Sequence, residues 1–349
     1  MLKERIILFF VFAILSIKSL SADSLKKLII IHSYPSGEWT HEINEGVEES
    51  LKKEAISLEI KSIIYHSEYW RLKDPPAQKL EQERIIKESK EYNPDIILLC
   101  DDEATDLLAT RLIDLKKPIF VTGINKNPNQ LTWLNKDNKN RFSGIFETYQ
   151  IEKGNELLKQ FNSKIKTVSV LTSNNITSQI LSSSFKKEFN KDGKYFSSGF
   201  KLRKIYNLSF WSQWQDAVRE INKLDDAVWV LVPYDIKDQN NQELSLVEVG
   251  KWLSKNLKKP SIGILSIHTK IGLLASVNTH PRGLGAQVGD MISRYLKKGD
   301  SSEKIGFEKS KYYKIQINKK AMNRLALTFP KNSSLKVEFL QSQSLKYGR

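Results

Sequence analysis

Apolar runs of about five to eight residues alternate with amphipathic helical stretches along nearly the whole chain, and they do so in two successive cycles. Nothing else in the sequence restricts the fold as much. The first cycle runs "KKLIIIH", then a helix placing Ile43, Val47 and Leu51 on one face, then "SLEIKSII". A helix opened by Pro75 and Pro76 follows, then "PDIILLC", a helix over "EATDLLATRLIDL", and "KPIFVTGIN". The second cycle repeats the pattern from "YQIEKGNELLKQF" and "KTVSVLTS" through "DAVWVLVPY" and "KPSIGILSIH", each run of strand type being separated by a helix. A strand "GLLASVN", a helix from Leu284 to Lys298, a strand "YYKIQIN" and a short helix "KKAMNRLAL" close the chain. Continuous apolar strands such as "IILLC" suit a parallel sheet covered on both faces. The fold class is therefore α/β, with two Rossmann-like lobes of parallel sheet flanked by helices.

The chain has 349 residues, enough for two such lobes. The N-terminus adds a targeting segment. Lys3 and Arg5 precede an uncharged run from Ile6 to Ile17, followed by the small residues Ser19, Ser21 and Ala22. This pattern predicts a secretory signal over residues 1–22, cleaved after Ala22. The alternative is an uncleaved anchor, for which the run is short against the roughly 20 residues of a membrane span. No cysteine sits at the cut, so no lipid attachment is expected. The destination is periplasmic or secreted. Cys100 is the only cysteine and excludes an internal disulfide. Its expected role is that of a small buried hydrophobe.

The formal charge is +15, and loss of Lys3, Arg5 and Lys18 with Glu4 leaves +13. The lysines are scattered beside glutamates and form no arginine-rich block, so nucleic acid is not expected as a partner.

In parallel sheets ligands bind beyond the carboxyl ends of the strands. Candidate site residues follow from that rule. Ser33, Tyr34 and Trp39 follow the first strand; Asp101 and Asp102, with Glu103, follow the third; Asn125 follows the fourth. In the second cycle Ser173, Asn174 and Ser178, with Thr177, follow one strand, and Tyr234 and Asp235 follow another. The three adjacent carboxylates can cap a helix, face a ligand, or do both. Trp39 can cover a ligand or staple its helix. The short polar residues near Ser178 can cap a helix or hold an anion. "HEINE" has the first histidine of a zinc helix, but Glu45 stands where the second would be. His32, His66, His268 and His280 do not complete a metal set, and neither metal nor cofactor is expected. "PRGLGAQVG" is one residue off dinucleotide spacing and reads as a tight turn with a close-packed helix. Trp211 and Trp214 share a helical face and read as packing.

The ordered set "HSYPSGEWTHEINEGV", "NPDIILLCDDEAT", "KPIFVTGIN", "FSGIFETYQIEKGNELLKQF", "DAVWVLVPY", "IGLLASVNTHPRGLGAQVGDMISRYLKKGD" and "INKKAMNRLALTFP" resembles the ABC transporter substrate-binding proteins with a type I periplasmic-binding fold. The resemblance spans nearly all of the mature chain and implies two lobes joined by a hinge. The implied lobes are 23–145 plus 278–311, and 146–277 plus 312–349, with crossings near Gly144–Glu147, Ser276–Thr279 and Ser310–Tyr313. It implies a small organic ligand trapped on closure, for an ABC importer or for a membrane sensor, by a monomeric, non-catalytic protein. If that ligand is amino-acid-like, Asp102 meets its ammonium and the helix start near Ser178 its carboxylate. Two other readings stay open: a secreted hydrolase on the same scaffold using Asp101 or Asp102, and a basic protein that binds anionic polymer.

Overall fold

The computed structural model describes residues 25–65, 75–126, 128–188 and 199–341. The predicted signal and its cleavage site, and His66, lie outside the described residues, as does the side chain of Thr177.

Two sheets form the framework. The first contains β1 (Lys26–His32), β2 (Leu58–Ile64), β3 (Ile96–Cys100), β4 (Ile119–Ile124), β5 (Phe142–Phe146) and β11 (Phe307–Lys309), in the order β11-β5-β4-β3-β1-β2. All its pairings are parallel. The second contains β6 (Thr167–Ser173), β7 (Lys201–Leu208), β8 (Ala227–Val230), β9 (Ser261–Gly263), β10 (Ala275–Thr279), β12 (Tyr313–Asn318) and β13 (Glu338–Leu340), in the order β13-β12-β10-β9-β8-β6-β7. One of its steps, β10 to β12, is antiparallel, because β12 arrives from the first sheet and not through a helical crossover. Parallel pairing therefore dominates the second sheet without being complete.

The apolar runs are continuous because each strand feeds two cores. In β1, Ile29 and Ile31 enter one cluster while Leu28 and Ile30 enter another. In β3, Ile97 and Leu99 face one way, and Ile96, Leu98 and Cys100 the other. This is the two-residue alternation of a pleated strand with helices on both faces. Cys100 is fully buried, as its apolar setting implies. Each such isoleucine or leucine contributes roughly 1.5–3 kcal/mol of burial. The second sheet is covered in the same way by two further clusters, one around Trp229 and Phe185, the other around Trp214 and Val230.

Eleven helices are described. Those that position the site are α1 (Glu38–Lys53), α2 (Pro75–Tyr92), α3 (Asp102–Leu112), α4 (Ile151–Phe161) and α5 (Ile176–Lys187). They are followed by α6 (Trp211–Leu224), α7 (Leu246–Asn256), α8 (Ser266–Lys270) and α9 (Pro281–Lys298), then α10 (Ser302–Ile305) and α11 (Lys319–Arg324). The glycines of "PRGLGAQVG" lie within α9 and not in a turn. A β-carbon on Gly285 would stand 2.1 Å from the Ile43 carbonyl oxygen, and one on Gly46 2.0 Å from that of Arg282. Only glycine lets α1 and α9 approach so closely. Trp214 is buried in packing and donates through Nε1 to the Leu208 carbonyl at 3.2 Å, while Trp211 meets Trp252 edge-on at 5.0 Å. The run "KPSIGILSIH" is a strand only to Gly263; its last residues turn into α8.

The chain passes between the sheets three times, after Phe146, after Thr279 and after Lys309. These passages are stitched together. The Ser310 amide donates to the Phe146 carbonyl at 2.8 Å, and the Thr148 amide to Ser310 Oγ at 3.0 Å. Thr279 donates its hydroxyl to Glu147.

Candidate functional site

In each sheet the chain order reverses at one point. In the first, β1 has β2 on one side and β3 on the other; in the second, β6 lies between β7 and β8. Such a reversal opens a crevice beyond the strand ends, because successive connections leave in opposite directions. The sequence candidates fall there: Ser33 to Trp39 follow β1, Asp101 to Glu103 follow β3, Ser173 to Ser178 follow β6, and Tyr234 and Asp235 follow β8.

On the first wall, Ser33 is fully buried. Its hydroxyl donates to the Cys100 carbonyl at 2.8 Å and accepts the Ala104 amide at 2.9 Å. Ala104 is the third residue of α3, so Ser33 caps that helix from a neighbouring strand. This corrects the expectation that the carboxylates cap: Asp101 holds the cap position but makes no side-chain cap bond. The carboxylates accept from other side chains and amides instead. Asp101 Oδ1 accepts from Trp39 Nε1 at 3.1 Å, and Glu103 accepts from the Tyr34 hydroxyl at 3.1 Å. Asp102 Oδ2 accepts from the Asn125 amide and side chain at 3.0 and 3.1 Å, and its Oδ1 from the Lys126 amide at 3.3 Å. Trp39 also packs on the core beneath α1, so it joins site and scaffold.

Asp101 is strained. Its φ of 70° and ψ of 166° fall in a region normally reserved for glycine, at a cost of about 1–3 kcal/mol. Neighbouring Gly123 has φ of +72°, and a β-carbon on it would meet Asp101 Oδ1 at 2.7 Å. The fold thus places this carboxyl against a backbone that leaves no slack.

Sequence reasoning singled out neither Glu147 nor Tyr149 as a site residue. Both lie in the first passage between the sheets. Tyr149 donates its hydroxyl to Asn125 Oδ1, extending the chain Asp102–Asn125–Tyr149 out of the first wall. Its phenol is pushed far up by burial, then by the charges of Glu147 and Asp102, with Tyr234 of the second wall adding to it. The available signal was the short polar stretch "ETYQ" between a strand and a helix.

The second wall differs from expectation. Asn175, not Asn174, caps α5: its Oδ1 accepts the Ser178 amide at 2.8 Å. Ser178 is buried, and its hydroxyl meets Thr172 at 2.9 Å and Ser173 at 3.3 Å. Asn174 is exposed, its amide donating to the Leu208 carbonyl at 3.2 Å. The Asn175 side-chain amide also donates to Asp235 at 2.6 Å. The third amide of α5 is thus already satisfied, and a carboxylate stands beside it.

Burial dominates the electrostatics of the first wall. It pushes the Asp101 carboxyl well above its usual range, helped by Glu103, Glu147 and Asp102, with the Trp39 hydrogen bond opposing. It raises Asp102 too, against the hydrogen bonds from Asn125 and Lys126. Glu147 is pushed up to about 7 by burial, with the Asp102 charge adding and the Thr279 bond opposing. An unfolded glutamate loses its proton near 4.5, whereas folded Glu147 keeps it to about 7. Over that window the folded state holds more protons, so stability falls as pH rises. The ligand-free protein is expected to lose roughly 2–2.5 kcal/mol between pH 5 and 7.5 through this group. Denaturant melts at both pH values should show the loss, and Glu147→Gln should make the slope shallower. An equally steep slope in that variant would assign the effect elsewhere.

Two other features resolve simply. His41 Nε2 lies 3.3 Å from Glu45 Oε1, one helical turn on, so the two ends of "HEINE" meet each other along the helix. Among the described residues no group of histidine, cysteine or acidic side chains has metal-binding geometry. A cavity of about 350 Å³ lies away from the crevice, between the ends of α1 and α9, bordered by Lys53, Arg294, Lys297 and Lys298. Its cations face the negative ends of two helices, and Lys297 and Arg294 are paired with Glu54 and Glu308 at 3.2 and 2.9 Å.

Two α/β lobes joined by three passages of the chain define the class of two-lobed, type I periplasmic-binding folds. The comparisons agree. Residues 29–338 match the ABC transporter substrate-binding protein family, and the chain belongs to it. It is similar in structure to the ligand-free, open form of a substrate-binding protein with adhesive properties from Clostridium difficile. That likeness has a TM-score of 0.67 at 19% identity, covering 91% of this chain and 100% of that one. It is also similar to an ABC domain in complex with L-Trp from Streptococcus pneumonia, with a TM-score of 0.54 at 19% identity, covering 87% and 96%. A conserved domain protein from Vibrio cholerae O1 biovar El Tor gives a TM-score of 0.55 at 19% identity, covering 88% and 97%. No curated protein matches the chain. Among the described residues no helix is long and apolar enough to cross a membrane.

Proposed function

We propose that the chain is an exported, non-catalytic capture protein that closes on a small organic ligand bearing a positive group. The lobes are 23–145 with 278–311, and 146–277 with 312–349; the partner is an ABC importer or a membrane sensor, met as a monomer. The observation that carries the reading is the first wall, where Asp101, Asp102 and Glu103 stand at the carboxyl end of β3 under Tyr34 and Trp39. A cation there is held by charge-assisted hydrogen bonds and covered by aromatic faces. Closure is a population shift, because only the closed state lets a ligand touch both walls. Ion pairs already bridge the lobes beside α1, with Lys270 on Glu38 at 3.0 Å and Lys314 on Glu42 at 3.2 Å. The neighbour in complex with L-Trp supports a small solute that carries an amine.

Mass spectrometry of the gently denatured protein purified from its host tests the reading, which requires a small basic compound at near-stoichiometric amount. A purely anionic or neutral co-purifying ligand would sink it. Export has its own check. N-terminal sequencing of the mature protein is expected to begin near Asp23, and an intact Met1 in a cytosolic fraction would refute cleavage.

A further inference from the structure

We infer that the pole of the second lobe, at the amino ends of its strands, is a docking surface for a membrane bearing anionic phospholipid headgroups. The inference is independent of which ligand the crevice takes.

Six exposed lysines share that edge. Lys166 precedes β6, Lys201 opens β7, Lys258 lies in the loop before β9, and Lys223 sits in the last turn of α6. β12 runs antiparallel to β10, so its end, followed by Lys319 and Lys320, reaches the same edge. Hydrogen bonds tie these segments together. The Lys201 amide donates to the Lys166 carbonyl at 2.7 Å, and the Lys258 amide to Asn222 Oδ1 at 2.9 Å. From β7 to β12 the sheet has five steps. At about 4.8 Å each, they spread the lysines over roughly 24 Å.

Among the described residues none of the six pairs with a carboxylate. Lys258 Nζ donates to the Lys255 carbonyl at 2.7 Å, and Lys319 lies 5.5 Å from the Phe339 ring. Neighbouring acids are engaged elsewhere: Asp225 holds Arg203, and Asp226 accepts the Lys166 and Thr167 amides at 2.9 Å each. In sequence, residues 186–198 add four lysines and two acids, which leaves the sign of the edge unchanged. The corresponding edge of the first sheet differs. There Lys27 faces Glu59 at 3.9 Å, Lys139 faces Glu303 at 3.2 Å and Lys297 faces Glu54 at 3.2 Å. Local structure does not favour the six charges. Lys319 and Lys320 open α11, at the positive end of its dipole, and Lys166 and Lys201 stand at the starts of adjacent strands, where like charges repel. An anionic partner offsets that repulsion. Lysines are point charges on flexible stems, which suits a broad, fluid plane of headgroups better than the fixed fork of arginine would. Each lysine near an anionic membrane strengthens attachment roughly five-fold, so several spread over one face hold a protein that no single contact would. The crevice lies beyond the opposite ends of the strands, so attachment by this pole leaves it open.

Sedimentation of the intact mature protein with vesicles tests the docking pole. The vesicles are phosphatidylcholine, either alone or with about 30% phosphatidylglycerol. The expected result is binding to the anionic vesicles only, weakened about ten-fold or more between about 50 and 300 mM salt. Lys166→Gln, Lys201→Gln, Lys319→Gln and Lys320→Gln together should weaken binding by about ten-fold or more. A charge-matched control on the first lobe, Lys52→Gln, Lys53→Gln, Lys136→Gln and Lys298→Gln, should weaken it less than about three-fold. All eight side chains are exposed, and thermal melts check that both variants keep the fold. Equal losses in the two variants assign the effect to net charge and overturn the docking pole. So does a failure to bind anionic vesicles at low salt. Binding to heparin, a soluble polyanion, that the anionic vesicles do not displace assigns the pole to a polymer and overturns the membrane as its partner.

Discussion

Replacing Asp225 with alanine is expected to destabilise the second lobe by about 3–5 kcal/mol. The Asp225 side chain is fully shielded, whereas Arg203 keeps about a fifth of its side chain in contact with solvent. Arg203 Nε lies 3.0 Å from both carboxylate oxygens, and its second terminal nitrogen 2.7 Å from Oδ2. Ser169 adds a bond at 3.0 Å. Removing the acid leaves a guanidinium desolvated on one side, and that uncompensated charge accounts for most of the cost. Glu220, 2.7 Å from Arg203, softens the loss and places it towards the lower end. Chemical denaturation followed by Trp214 and Trp229 fluorescence reads this lobe. Asp225→Leu combined with Arg203→Met should recover much of the loss, because a buried pair replaced as a unit costs little. A single variant that loses under 1 kcal/mol would show the pair to be ornamental.

The alternation that announces two lobes is legible because each strand must bury two faces. "IILLC" is apolar at every position since both its faces meet helices. The short strands β5, β11 and β13 carry weaker signals. β11 has only Phe307, Glu308 and Lys309, and it is a strand because the chain returns there to the edge of the first sheet. Its pairing partner decides its conformation, and a partner more than 150 residues away is invisible to local pattern.

The candidate site was legible in which strand ends its residues leave more than in the bonds they make. Strand ends located Tyr34, Trp39, Asp101, Asp102 and Asn125, which the structure brings together through direct hydrogen bonds. Roles were harder, because one hydroxyl can reach across the sheet. Ser33 supplies the cap that the carboxylates were expected to supply, and no local pattern encodes a cap borrowed from another strand. Asn174 and Asn175 are adjacent and chemically identical; Asn175 is the one that stands directly before the helix and accepts the Ser178 amide. Glu147 and Tyr149 belong to a passage between the sheets, where periodicity ends and side-chain direction is set by tertiary contacts.

Asp102 is the residue on which ligand capture is expected to depend most. It accepts three hydrogen bonds from the Asn125 and Lys126 segment, so its position is fixed before any ligand arrives. Through Asn125 it is tied to Tyr149, and hence to the passage between the lobes. Under the proposed capture reading, a cation bound at Asp102 is expected to be felt at that passage. Asp102→Asn keeps the shape and one accepting oxygen, which suffices for both bonds to Asn125 at Oδ2. The amide end then faces the Lys126 N–H, whose bond to Asp102 is the longest of the three at 3.3 Å. The fold should suffer by less than about 1 kcal/mol. Binding should suffer more, since a charge-assisted hydrogen bond becomes a neutral one with the same geometry. The expected loss is about 1.5–3 kcal/mol, which is roughly 10- to 150-fold in affinity. Calorimetric titration with tryptamine, alongside thermal melts of both proteins, separates the two effects. A variant that binds like the parent but melts lower would leave Asp102 as a strut for the β4 loop and move the cation to Asp101 or Glu147.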